Sequence, residues 1–234
     1  MMHMRNPDND IAIKLTNISK QYTIHHEKPT LVEKFYKGKE EKFWALKNIN
    51  LTIRKGERIG IFGPNGSGKT TLLKIIAGIT SPTSGKVVTN GKIVSLIDLE
   101  AGFHPDLSGY RNIFLNGMLL GMKMAEIEKA VVHIIKFADI KQFIDAPLFT
   151  YSQGMKLRLG FSIAIHSKPD ILILDEGLAV GDAEFSRKSK NKLLNMFKEN
   201  KTILVVSHWM EFLKQRCNRI IELNNQIILH DRRI

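Results

Sequence analysis

The sequence predicts an α/β fold with a mostly parallel core sheet, an antiparallel β subdomain and a helical subdomain. Two continuous apolar runs, 171–174 and 202–206, alternate with helical segments, which is typical of parallel strands covered by helices on both faces. Residues 11–24 alternate apolar and polar side chains, as half-buried strands do. Apolar side chains at helical spacing within 106–166 predict the helical part.

The predicted strands and helices follow one another along the chain, separated by turns and loops. The predicted strands are 11–24, 45–62 with a turn at Lys55-Gly56, 86–98, 171–174 and 202–206. The predicted helices are one that follows a glycine-rich loop at 63–69 and runs through Ile79, those within 106–166, and one around 183–198. In the first of these helices a single apolar face is shared by Leu72, Leu73, Ile76 and Ala77.

These elements predict one domain over 1–234 that is folded as two lobes. The core lobe combines 11–98 with 167–234, and the helical lobe covers about 103–166. A highly charged insertion, 25–43, contains a short helical face formed by Leu31, Val32, Phe35 and Tyr36. Two interpretations of this insertion remain open: a solvated surface helix, or a membrane-facing segment whose lysines attract anionic lipid.

Composition restricts the function classes. The chain has 234 residues, of which 43% are hydrophobic and 25% charged, and this ordinary globular composition excludes disordered and fibrous proteins. A net charge of +12 favours partners that carry negative charge, such as phosphates, nucleic acid or an anionic membrane surface. Cys217 is the single cysteine, so no disulfide can form within the chain. No apolar run approaches the roughly 18 residues of a membrane-spanning helix, and we expect a cytoplasmic protein.

A phosphate-binding loop is the strongest motif. The pattern G-x-x-x-x-G-K-[ST] lies between a predicted strand and a predicted helix, as Gly63, Pro64, Asn65, Gly66, Ser67, Gly68, Lys69 and Thr70. Such glycines let backbone amides turn toward phosphate oxygens, and the helix start adds its positive dipole end. We expect Lys69 to reach the β- and γ-phosphates and Thr70 to offer its hydroxyl to Mg²⁺. The alternative is an ordinary glycine-rich turn.

An acidic pair supplies the matching half of the site. The apolar strand 171–174 ends in Asp175 and Glu176, so both carboxylates emerge at the carboxyl edge of the sheet. Asp175 would hold Mg²⁺, and Glu176 would act as general base on the attacking water. Alone, such a pair is commonly a capped helix start. Together with the phosphate-binding loop, it predicts nucleotide hydrolysis.

A third motif resembles the signature motif of ABC ATPases, whose usual form is Leu-Ser-Gly-Gly-Gln. Here it is formed by Tyr151, Ser152, Gln153, Gly154 and Met155. The serine and the second glycine are retained, and the other three positions differ. An N-terminal serine of a helix can bond a phosphate oxygen, although a plain helix cap gives the same pattern.

The resemblance to ABC ATPases covers nearly the whole chain and implies further site residues. His208, after the strand 202–206, matches the switch histidine, and Tyr22 matches the aromatic residue that stacks on adenine. Most of the family has glutamine at the lobe junction, where Asp98 is the better match in this sequence and Glu100 is the alternative. The remaining implied positions are Thr71 in the nucleotide site and Gly181 and Asp182 in the D-loop.

Within this family the chain looks like the branch that exports polysaccharides such as O-antigen, capsule and teichoic acid. The similar segments are 101–109 (Ala-Gly-Phe-His-Pro-Asp-Leu-Ser-Gly), 178–182 (Leu-Ala-Val-Gly-Asp) and 43–46 (Phe-Trp-Ala-Leu). The resemblance implies an ATPase with ATP and Mg²⁺, working at the cytoplasmic face of the membrane as a peripheral subunit. Implied partners are a second copy of the chain, separately encoded membrane-spanning permease subunits and a lipid-linked polysaccharide, with no nucleic acid.

Two other functions remain as alternatives at this point. A soluble ABC ATPase that acts on nucleic acid or ribosomes would suit the net charge of +12. Such proteins typically carry two fused ATPase units or a long coiled-coil insertion, and this chain shows neither pattern. A binding module without catalysis would require a damaged site. The residues expected for catalysis are all present, namely Lys69, Asp175, Glu176 and His208.

Overall fold

The computed structural model describes residues 10–25, 40–175 and 182–234. Its strands are β1 (Ile11–His25), β2 (Glu40–Arg54), β3 (Arg58–Phe62), β4 (Ser84–Thr89), β5 (Ile93–Ser95), β6 (Ile171–Leu174), β7 (Thr202–Val206), β8 (Arg219–Asn224) and β9 (Ile227–Arg233). Its α-helices are α1 (Lys69–Ile76), α2 (Gly109–Leu119), α3 (Met124–Ala138), α4 (Gln153–His166), α5 (Ala183–Met196) and α6 (Met210–Arg216).

The strands form two sheets, which confirms the predicted fold class. The order β5-β6-β7-β3-β8-β9 makes the core sheet, in which β9 is antiparallel to β8 and the other neighbours run parallel. The order β2-β1-β4 makes a separate antiparallel sheet. The apolar strands β6 and β7 are buried at every position, as continuous apolar runs predict.

The hydrophobic core surrounds the parallel sheet on both faces. One cluster joins the antiparallel sheet and α1 to one face, through residues such as Ile13, Leu72 and Ile173. A second cluster packs α5 and α6 on the other face, with Phe185 and Leu213 among its members. A third cluster holds α2, α3 and α4 together around Ile134. Packing on both faces therefore holds the parallel sheet in place, and with it the edge at which its strands end.

One predicted helix and one predicted strand were too long. The first helix ends at Ile76 rather than at Ile79, because Gly78 has φ +74° and Ile79 N–H donates 2.9 Å to the Lys74 carbonyl, the hydrogen bond of a Schellman cap. The strand predicted to run to Asp98 ends at Ser95, which is the last residue of β5 that pairs with β6.

The charged insertion is shorter than the predicted 25–43. His25 belongs to β1 and residues 40–43 belong to β2, because they pair with 22–25 across the antiparallel ladder. The helical face predicted for Leu31, Val32, Phe35 and Tyr36 lies outside the described residues. Among the described residues, no helix is both long enough and apolar enough to cross a lipid bilayer.

The single cysteine should be inert in the folded protein. Burial raises the pKa of the Cys217 thiol to about 12, so almost no thiolate exists at pH 8. We expect alkylation by iodoacetamide to be at least about a hundredfold slower in the native protein than in urea, because only the thiolate reacts. Because Cys217 is the single cysteine, the mass of the alkylated protein measures the reaction of this residue alone. Equal alkylation rates in the native protein and in urea would contradict its buried position.

Candidate functional site

The phosphate-binding loop lies between β3 and α1, at the carboxyl edge of the parallel sheet. Its glycines are required by close backbone contacts: a Cβ on Gly63 would lie 1.9 Å from the Leu223 carbonyl oxygen, and a Cβ on Gly68 would lie 2.3 Å from the Ala45 carbonyl oxygen. Both glycines also have positive φ. The loop is therefore pressed between β8 and β2, and a side chain at either glycine would displace it.

The polar groups of the loop suit an anionic ligand. The Lys69 ammonium is buried and donates hydrogen bonds to the Gly63 carbonyl at 2.8 Å and the Pro64 carbonyl at 2.9 Å. The Ser67 side-chain oxygen is buried and has no hydrogen-bond partner in the part of the chain that the structure describes. A buried ammonium and a buried, unsatisfied hydroxyl fit phosphate oxygens.

Asp175 lies beside the loop, directly after β6. Its Oδ2 accepts a hydrogen bond from the Thr70 hydroxyl at 3.4 Å. A hydroxyl and a carboxylate are hard oxygen ligands of the kind that Mg²⁺ prefers, so the donor set at this position fits that ion. His208 follows β7, the neighbouring strand, with its side chain exposed.

One cavity of about 550 Å³ joins these groups. Of the predicted site residues, it is lined by Tyr22, Asn65, Gly66, Gly68, Lys69, Thr70, Thr71, Asp175 and His208. Gly63, Pro64 and Ser67 belong to the loop without lining the cavity. A larger cavity of about 790 Å³ lies at the opposite edge of the sheet, beside Lys55, Asp170 and Lys201. Ligands of parallel sheets bind at the carboxyl ends of strands, so the smaller cavity is the better candidate site.

Phe43 also lines this cavity, although it was not predicted as a site residue. It lies opposite Tyr22 in the β1–β2 ladder, and the two rings stack with centroids 5.6 Å apart. The residue was visible in the sequence, but its place in the site depends on the register of two strands separated by the insertion.

The signature-motif residues lie at the start of α4, away from the cavity. The Ser152 side chain is exposed and accepts a hydrogen bond of 3.2 Å from the Met155 backbone amide, as a helix N-cap does. The Tyr151 side chain is buried in the helical cluster and donates 2.6 Å to the Phe143 carbonyl. Burial, aided by the negative charge of Asp145, raises the pKa of Tyr151 to about 12. In this conformation Tyr151 supports the motif and does not present its ring to a ligand.

The lobe-junction acids differ in their surroundings. Asp98 is exposed, whereas Glu100 accepts a hydrogen bond from the Gln153 side chain of the signature motif. The chain between β5 and α2 is held to the helices, since Asn116 donates 2.9 Å to the Ala101 carbonyl. Glu100 was expected near the junction, but its contact with Gln153 could not be predicted because that contact depends on tertiary packing.

The acidic segment after β6 is partly described. Glu176 and Gly181 lie outside the described residues. Asp182 caps α5 by accepting 2.9 Å from the Phe185 amide, and its carboxylate lies 3.4 Å from Arg158 of α4. The Phe185 amide, with a smaller contribution from Arg158, lowers the pKa of the Asp182 carboxyl. Asp182 therefore links α5 to the helix that carries the signature motif.

Comparisons with known proteins agree with this geometry. The family model of the ABC transporter matches residues 46–179. The O-antigen export system ATP-binding protein RfbB of Klebsiella pneumoniae is 39% identical over 224 residues, which cover 92% of this chain and 90% of that protein. RfbB of Myxococcus xanthus is 46% identical over 91% of this chain and 51% of its own length. The teichoic acids export ATP-binding protein TagH of Listeria innocua is 42% identical over 92% of this chain and 65% of its own length.

The chain thus spans only half to two thirds of the length of the last two relatives. Among solved structures, a dimeric post-hydrolysis state of the ATP-binding cassette MJ0796 bound to ADP and Pi is 26% identical, with a TM-score of 0.69. That similarity covers 94% of this chain and 98% of the cassette. The expected resemblance to ATP-binding subunits of polysaccharide exporters is confirmed.

Proposed function

This chain belongs to the ABC transporter family, and we propose that it is the ATP-hydrolysing subunit that powers export of a lipid-linked polysaccharide across the cytoplasmic membrane. The observation that carries the proposal is the single cavity in which Lys69, Thr70, Asp175 and His208 meet. A volume of about 550 Å³ suits a nucleotide, since small-ligand sites occupy some 300–1,000 Å³. The class of exported substrate is inferred from the relatives named for O-antigen and teichoic acid export.

The loop residues would bind the phosphates of ATP. Lys69 now bonds two loop carbonyls, so its ammonium already points along the inner surface of the loop and can turn to the β- and γ-phosphates. Thr70 and Asp175 would hold Mg²⁺, which neutralises charge on the phosphate oxygens when bound. The aromatic pair Tyr22 and Phe43 borders the end of the cavity available to the base.

Hydrolysis requires that a water be oriented toward the γ-phosphate and deprotonated. We assign the general-base role to Glu176, which follows Asp175 directly in the sequence. His208 lines the cavity beside Asp175 and can donate a hydrogen bond to a γ-phosphate oxygen or to the water. Asp175 and His208 follow the neighbouring strands β6 and β7, and parallel sheets commonly assemble sites from residues at the ends of adjacent strands.

A second copy of the chain would complete each site. Residues 151–155 do not line the cavity of their own chain. The exposed Ser152 at the start of α4 is available to a phosphate presented by a partner. The solved cassette with a TM-score of 0.69 is described as a dimer with ADP and Pi. We therefore propose a homodimer in which each signature motif faces the nucleotide on the other subunit.

Separately encoded permease subunits would supply the membrane path, with this chain bound at their cytoplasmic face. The test is to purify the tagged chain from a detergent extract of whole native cells, without nuclease treatment. We expect a membrane-spanning protein to co-purify and ATP turnover to accompany the complex. Recovery with ribosomes or nucleic acid, and without a membrane protein, would contradict the proposal.

A further inference from the structure

One hydrogen bond joins the segment between β5 and α2 to the signature motif, residues 151–155. The Gln153 side-chain amide donates it to the Glu100 carboxylate, which lies 53 residues earlier in the chain. We infer that Glu100 is a positioning residue, which holds the signature motif in place and so supports binding of the nucleotide on the other subunit. The inference rests on the proposed function, because it requires that the motif bind the other subunit's ATP.

The backbone around Glu100 is held on both sides. The Leu99 carbonyl oxygen lies against Gly160 of α4, where a Cβ would come within 2.2 Å of it, and the Leu99 side chain is buried. On the other side, the Ala101 carbonyl accepts a hydrogen bond of 2.9 Å from Asn116 of α2. The Glu100 carboxylate therefore projects from a stretch whose position is set by two helices of the helical lobe.

Ser152 lies between two residues that are anchored on different sides. Before it, the Tyr151 hydroxyl donates a hydrogen bond to the Phe143 carbonyl. After it, Gln153 is the first residue of α4 and is exposed, so its long side chain would have many rotamers without a partner. The hydrogen bond to the half-buried Glu100 restricts that side chain and places a negative charge near the positive end of the α4 dipole.

The contacts of α4 with residues 99 and 100 lie on one face of the helix. Gln153 and Gly160 are seven residues apart, which is about two helical turns, so the two contacts are aligned along the helix axis. Loss of the contact with Glu100 would release the end of α4 that carries Ser152. Small displacements matter at such a position, because a shift of about 1 Å in a positioned group can cost about 100-fold in rate.

A place at the lobe junction offers Glu100 a different role, which is to bind Mg²⁺ or water at the nucleotide of its own chain. The geometry favours the signature motif instead. Glu100 does not line the nucleotide cavity of its own chain, and its carboxylate is bonded to Gln153. The two roles make opposite predictions, because they assign Glu100 to the nucleotides of different subunits.

Mixed dimers with a single working site show which nucleotide Glu100 serves. In the transporter complex, both chains carry Glu176→Gln to stop hydrolysis, and one chain also carries Lys69→Ala to inactivate its phosphate-binding loop. The remaining ATP lies on the loop of the other chain and faces the signature motif of the Lys69→Ala chain. Glu100→Ala is placed on either chain, the two chains are purified through different tags, and the ATP concentration that half-fills the site is measured.

We expect Glu100→Ala on the Lys69→Ala chain to raise this ATP concentration about 5- to 15-fold. This is the lower range for a hydrogen bond to a charged group, because the pair is partly exposed. The same substitution on the other chain should have no effect, since the signature motif of that chain faces the inactivated site. On the Lys69→Ala chain, Glu100→Gln should recover most of the loss, because its amide oxygen still accepts the hydrogen bond.

A double-mutant cycle on the Lys69→Ala chain tests the pair itself. Gln153→Ala should match Glu100→Ala, and the two together should cost no more than either alone, because both remove the same contact. The matched control is Glu128→Ala, which makes the same change on the exposed surface of α3 and should have no effect on either chain.

Three results would overturn the inference. Equal losses with Glu100→Ala on either chain would indicate a general loss of structure. A loss confined to the chain with the working loop would assign Glu100 to the nucleotide of its own chain, and no loss on either chain would show that the contact does not support binding.

A failure of the proposed function looks different. Dimers with Lys69→Ala on both chains would then still retain ATP. Ser152→Arg, placed on either chain in the same way, locates the nucleotide that the motif itself contacts. A loss confined to the chain with the working loop would contradict the proposed dimer, whatever the result for Glu100.

Discussion

Replacing Glu176 with glutamine should lower ATP turnover by about 10²–10⁴-fold, the usual contribution of a general base, while ATP remains bound. The described site supports this expectation, because Asp175 lies beside Thr70 at the phosphate-binding loop and Glu176 is the next residue. Glutamine keeps the size of the side chain and removes its ability to accept a proton from water. Phosphate release is measured on the complex with its permease, and retained nucleotide is measured on the same sample.

The matched control for this substitution is Glu128→Gln, on the exposed surface of α3. It makes the same chemical change far from the cavity and should leave turnover unchanged. The variant at Glu176 should also accumulate an ATP-bound dimer, since hydrolysis no longer opens it. Near-normal turnover in Glu176→Gln would remove this residue from the catalytic role.

Lys69→Ala and Ser152→Arg should each abolish ATP capture when both chains of the dimer carry the change. The first removes the buried ammonium of the phosphate-binding loop, which is needed to balance phosphate charge. The second places a long side chain at an exposed position that we assign to the partner's nucleotide. The control is Lys74→Ala, in the same helix α1 and outside the cavity.

A mixed dimer of these two variants shows which chain each motif serves. If Ser152 acts across the interface, one composite site loses both groups and the other keeps both. In a Glu176→Gln background, the mixed dimer should then retain one ATP, whereas both uniform dimers retain none. A mixed dimer that retains no ATP would indicate that Ser152 acts on the nucleotide of its own chain.

The strongest parts of the fold could be predicted because their signals are local. The apolar runs of β6 and β7 and the glycine pattern of residues 63–70 specify their structure within a few residues. These segments position Asp175, His208 and the phosphate-binding loop, so most of the candidate site followed from the sequence. Their placement in one cavity follows from parallel strands that end at a common edge.

Other parts depend on long-range contacts that no local pattern reveals. The hairpin of β8 and β9 was missed because β9 is largely exposed and rich in charged residues, so it lacks the apolar run of a core strand. Phe43 lies at the site because its strand pairs with that of Tyr22, and this pairing connects residues on either side of the insertion. The burial of Tyr151 could not be predicted from the sequence, because its ring packs against the distant Gly109. A Cβ at Gly109 would lie 2.1 Å from the tyrosine hydroxyl.

The role of this chain in export is tested by measuring the polysaccharide at the surface of the native cell when its own copy of the chain carries Lys69→Ala. We expect surface polysaccharide to be lost and lipid-linked polymer to accumulate inside the cell, because assembly continues while ATP-driven export stops. The Lys74→Ala strain should match the wild type, and both proteins should be present at equal levels. Unchanged surface polysaccharide in the Lys69→Ala strain would contradict the claim that ATP bound by this chain powers polysaccharide export.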